Sequence, residues 1–151
     1  MALSANANYE VRPVEGLLKI AMKVLTSSVI YNGAFCSHDT TVGAIKPYDG
    51  TSADRVVGWH FGDTVTGNTA ASVPPEASIC PGGFTIVGLT VAGLTTVLDS
   101  NLGLPVWATD DGTYTATDPS STGHEVGNIV RYHSSGKADV TMRNRLDTIE
   151  A

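Results

Sequence analysis

Turn pairs recur along this chain at short intervals, and they limit what it can become. Asn32-Gly33, Asp49-Gly50, Pro81-Gly82-Gly83 and Asp111-Gly112 each stand between short extended runs. Glycine takes a positive φ without a Cβ clash, so such pairs close hairpins. Their spacing predicts many short antiparallel strands and at most one or two short helices. The expected fold is all-β: a small antiparallel β-barrel or sandwich, closed or nearly closed. No solenoid period is present.

The clearest part is GLPVWATDDGTYTATDPSSTGHEVGNIVRYH, from Gly103 to His133. Pro105 to Ala108 reads as a strand, Thr109 to Gly112 as a turn, and Thr113 to Thr117 as the returning strand. β-Branched and aromatic residues suit a pleated, half-buried surface. Asp118 to Gly123 is a loop, because Pro119 has no N–H for a ladder. Val126 to Tyr132 reads as a third strand, with Gly127 marking a bend or bulge.

Three segments follow from composition and pattern. Residues 1–13 form a polar arm of small residues that ends at Arg12-Pro13. Residues 14–142 form the β-body, and residues 143–151 a tail of mixed charge. The arm has one aromatic residue and buries little surface by itself, so it is expected to be free in solution and to order on a neighbour. Deleting residues 2–12 should then leave the melting temperature nearly unchanged. Val14 to Leu25 fits a helical template at Val14, Leu17, Leu18, Ala21 and Leu25. Leu18, Ile20, Met22 and Val24 fit strand alternation equally well, and the β neighbours favour a strand from about Leu18. Val29 to Tyr31 and Ala34 to Cys36 are short strands. Val57, Trp59 and Phe61 are expected on one face of a strand from Arg55 to Phe61. Gly62 to Ala77 reads as a long interaction loop, interrupted at Val73-Pro74-Pro75.

The chain has 151 residues, 42% hydrophobic and only 16% charged, with a formal net charge of −6. That length supports one domain with a core of its own. Low charge leaves large uncharged surfaces for partners. A net negative chain lacks the basic footprint of nucleic-acid binding. No apolar run approaches membrane-spanning length, so neither nucleic acid nor membrane is expected as a partner. Met1 to Asn8 lacks the basic start and apolar core of a secretory signal. Cys36 and Cys80 are the only cysteines, and such sparse usage reads as two reduced thiols, with a pairing between them left open.

No chemistry-bearing constellation stands out. His38-Asp39 and His124-Glu125 are sequence neighbours, and successive strand residues face opposite ways. Asp110, Asp111 and Asp118 lack the alternating ligands and terminal Glu of a calcium loop and read as turn residues. The serines sit in no nucleophile elbow, and no phosphate-binding glycine loop is present. No catalytic residue, metal or cofactor is expected. Trp59, Trp107 and Tyr114 give an alternative function, stacking platforms of a carbohydrate-binding β-sandwich.

Several stretches taken together resemble the decoration, or cement, proteins of tailed-bacteriophage capsids. They are Val29-Ile30-Tyr31-Asn32-Gly33-Ala34, GLPVWATDDGTYTAT, and Val126-Gly127-Asn128-Ile129-Val130. Tyr48-Asp49-Gly50-Thr51 followed by Val56-Val57-Gly58 is also similar to the centre of the lambdoid head decoration protein. The resemblance implies a non-enzymatic homotrimer on the outside of the expanded capsid, made in the host cytoplasm. Its partners would be itself and the major capsid protein, whose lattice it would cement. Within that picture Asn6, Tyr9, Arg12 and Pro13 are the expected capsid-binding residues. Trp59 and Trp107 are the expected subunit-interface residues.

Overall fold

The computed structural model describes residues 2–13, 18–51, 54–95, 98–134 and 136–143. Val14 and Leu17 of the ambiguous N-terminal element lie outside these ranges, as does the tail beyond Arg143. The strands begin with β1 (Glu10–Pro13), β2 (Ile20–Lys23), β3 (Val29–Ile30), β4 (Phe35–Asp39) and β5 (Ala44–Pro47). Next come β6 (Arg55–His60), β7 (Val65–Thr66), β8 (Glu76–Cys80) and β9 (Phe84–Thr90). After a 3-10 turn at Leu98–Asn101 follow β10 (Pro105–Ala108), β11 (Tyr114–Thr115), β12 (His124–Tyr132) and β13 (Lys137–Met142). No α-helix occurs among the described residues, so the all-β expectation holds.

A six-stranded sheet runs β1-β9-β13-β12-β10-β11, and a five-stranded sheet runs β2-β8-β6-β4-β5. β3 and β7 form a separate two-stranded ribbon. All strand pairs are antiparallel, as short turns require. The architecture is a sandwich, and no continuous ladder closes a barrel. Both sheets curl, though, until single parallel bridges join Val24 to Ile45 and Ala92 to Thr115.

Alternation decides what is buried. Phe84 and Ile86 of β9, Val106 and Ala108 of β10, and Val140 and Met142 of β13 point into one core with Phe35, Trp59 and Cys80. Trp59 is at the centre: its ring lies 4.7 Å from Phe35 and 5.2 Å from Phe84. Its indole N–H donates to the buried Tyr114 hydroxyl at 2.9 Å. A second cluster occupies the other side of the five-stranded sheet, with Val24, Ile30, Cys36, Ile45, Val57 and Ile79.

Val57 and Trp59 therefore belong to different clusters, contrary to simple alternation. The register shifts between Cys36 and Ser37, which pair with Gly58 and Val56 and leave Val57 as the extra residue. This bulge reverses the facing of one residue. Gly58 sits there at φ +139°, and a Cβ on it would lie 2.2 Å from the Cys80 carbonyl oxygen, so only glycine fits. A second bulge falls beside Gly127, where Val106 pairs with Gly127 but Trp107 pairs with Glu125. This is the bend expected from the sequence.

The segment Gly62 to Ala77 is not one loop. β7 within it pairs with β3, and β8 begins at Glu76. Two-residue strands are too short to show a period. Cys36 and Cys80 are both buried free thiols, in separate clusters.

Candidate binding surfaces

The arm is laid along the body in three places, not left free. At its start the Leu3 N–H donates to Asp111 Oδ1 at 2.9 Å. In its middle the Asn32-Gly33 turn acts as a socket. Asn6 Oδ1 accepts from Asn32 N at 2.8 Å and from Thr64 Oγ1 at 2.9 Å. Asn32 Nδ2 donates to the Ala7 carbonyl at 3.2 Å and to Asn8 Oδ1 at 3.1 Å. Tyr9 packs beside Gly33, where a Cβ would fall 2.8 Å from the Tyr9 ring. At its end β1 pairs with β9, with Glu10 opposite Val87 and Pro13 opposite Phe84. Composition misled here because sequence alone does not reveal a backbone socket waiting for a polar segment.

Asn6 and Tyr9 are thus engaged within the chain, whereas Arg12 and Pro13 are exposed. Arg12 forms an exposed ion pair with Glu10 at 3.0 Å. Such a pair contributes little and is readily exchanged.

The turn that receives Leu3 carries two aspartates in opposite electrostatic states. Burial alone would raise the Asp110 carboxyl, but the Gly112 N–H at 2.9 Å and the Thr113 hydroxyl at 3.0 Å hold it below the usual range. Asp111 is only 3% exposed. Burial, helped by the charge of Asp110, pushes it up to about 6 against the Leu3 N–H, which lowers it. Because its folded value lies above the ordinary 3.8, protonation stabilises the fold. That stabilisation is complete below about pH 3.8 and is lost as pH rises through about 6. Asp111→Asn should remove this component. Its stability relative to the parent, measured by urea midpoints, should rise between pH 4 and pH 6.5 by roughly 1–2 kcal/mol. A difference that stays flat with pH would refute the assignment.

The tryptophans part company. Trp59 is fully buried, which corrects both its subunit-interface reading and its stacking reading: the chain's own core uses the whole ring. Tyr114 is excluded as a platform for the same reason. Trp107 alternates with Val106 and Ala108, both 0% exposed, and so faces away from the core, half-buried. Its cross-strand neighbours are Thr115 on β11 and Glu125 on β12. Arg143 pairs with Glu125 and donates to Asn128 Oδ1 at 3.3 Å. Asn128 Nδ2 donates to the Gly103 carbonyl at 3.1 Å. Sequence reading named Trp107 but missed this rim, which depends on the Gly127 bulge.

A polar hollow is lined by residues of β4, β5 and β6 and their connections, His38, Asp39, Lys46, Asp54 and Arg55 among others. Lys46 is already paired there with Asp54 at 3.2 Å and with Asp49 at 3.1 Å. Among the described residues no three His, Cys, Asp or Glu side chains gather as a metal site.

No protein-family model matches the sequence, and no characterised protein matches it at significance. The fold does match a solved structure, a chain of "The capsid of Myoviridae Phage XM1". The TM-score is 0.57 at 18% identity, over 94% of this chain and 91% of that one. At that identity the likeness is one of fold, and it extends over both chains nearly end to end.

Proposed function

We propose that this protein is a structural component of a tailed-phage virion. In this reading it is a decoration protein, bound as a homotrimer to the outer surface of the expanded shell. The observation that carries it is the near end-to-end likeness in fold to a chain of a phage capsid. The decoration-protein pattern in the turn and strand sequences gives independent support.

The energetic logic is mass action. A protein that binds only the expanded lattice of the major capsid protein stabilises that lattice by its binding free energy. β1 ends the order of the six-stranded sheet, and among the described residues no strand pairs with its other edge. A capsid strand added there would gain main-chain hydrogen bonds. Arg12 would leave Glu10 for a carboxylate on the shell, and Asn6 and Tyr9 would hold β1 in place from behind.

Mixed with expanded shells of its parent phage, the protein should bind saturably in groups of three and raise the temperature at which the shells come apart. Unexpanded shells should bind it weakly. Arg12→Glu should weaken binding by about tenfold, the loss of one charge-assisted contact. Absence of binding to expanded shells, or single copies on them in cryo-electron microscopy, would overturn the proposal.

A further inference from the structure

The outer face of the six-stranded sheet carries the Trp107 ring with a polar rim beside it. Trp107 stands between Thr115 and Glu125, at cross-strand distances where side chains meet. Arg143 holds Glu125 and reaches Asn128, and Asn128 is anchored in turn on the Gly103 carbonyl. These groups face one another on the open side of the sheet. Glu125 and Arg143 keep side-chain exposures of 34% and 50%. Within one patch the face thus offers an apolar ring, a carboxylate, an amide and a guanidinium.

We infer that Trp107, Glu125, Asn128 and Arg143 form a saccharide-binding platform. Its ligand class is a neutral chain of all-equatorial hexopyranoses. Such sugars present a flat face of axial C–H groups, which matches the outward-facing part of the half-buried Trp107 indole. Their equatorial hydroxyls both donate and accept, as a rim of carboxylate, amide and guanidinium demands. A protein partner pressed on the same spot would strip water from the Glu125–Arg143 pair, which is costly. A sugar replaces that water with hydroxyls. This assignment is independent of capsid binding and gives Trp107 a role other than subunit contact.

The test uses the full chain with cellohexaose and chitohexaose, and maltohexaose as the curved control. Trp59 is fully buried, away from any ligand on the outer face, so a change in tryptophan emission reports Trp107. One of the flat hexasaccharides should shift emission saturably, with maltohexaose much weaker. Trp107→Ala should weaken binding by about tenfold, followed by calorimetry because the reporter is gone. Glu125→Gln and Asn128→Ala should weaken it several-fold, and Trp107→Phe should retain most of it. Sedimentation of each variant checks assembly. No response to either flat sugar overturns the inference. So does a Trp107→Ala protein that binds sugar normally but falls from trimer to monomer, because Trp107 would then be a subunit contact.

Discussion

Trp59→Ala is expected to destabilise the chain by about 4 kcal/mol, near the upper range for a core aromatic. Three losses combine. The ring fills the space between the sheets and touches Phe35 and Phe84. Its removal leaves a cavity that the curled sheets cannot collapse to fill. It also leaves the Tyr114 hydroxyl, fully buried, without its indole donor. Trp59→Phe separates these effects, keeping most of the packing while orphaning the hydroxyl at a cost of about 1–3 kcal/mol. At this chain length the alanine variant should melt roughly 10 °C lower, read by circular dichroism. A fall under about 3 °C, equivalent to 1 kcal/mol or less, would show that the core does not depend on this ring.

Deletion of residues 2–12 should cost about 3–5 kcal/mol, from partial burial of Leu3, Tyr9 and Val11 together with the lost β1 ladder. This reverses the expectation drawn from composition, which had the arm free and the melting temperature unchanged. Tyr9 and Val11 pack against the main cluster and Leu3 against the second. Removing them also exposes the edge of β9 and strips Asn32 of its arm partners. The midpoint should fall by roughly 10 °C, and the truncated protein should become prone to edge-to-edge association. Asn32→Ala, which leaves the chain intact, should reproduce part of the loss. Unchanged melting after deletion would mean that the arm does not pack on the body in solution. Capsid binding by the truncated protein is informative only below its lowered midpoint.

Local chemistry made much of the fold legible. The hairpin at Asp111-Gly112, the loop at Pro119 and the strand from Val126 each follow from turn residues and β-branched runs whose preferences act within a few positions. So does the all-β class. The candidate sites were legible only as residue types: Trp107 stood out, as did Tyr9 and Arg12, but their partners did not. Two kinds of fact arose only in three dimensions. Bulges at Val57 and beside Gly127 shift the side-chain facing by one residue, and pairing geometry decides where that shift falls. That is why Val57 and Trp59 parted and why Glu125 and Asn128 gathered near Trp107. The arm is the other case. Its small polar residues bury too little surface to order alone, and composition weighs only that. The socket at Asn32 and the open edge of β9 supply backbone partners from distant parts of the chain, and such long-range pairing leaves no local periodicity to read.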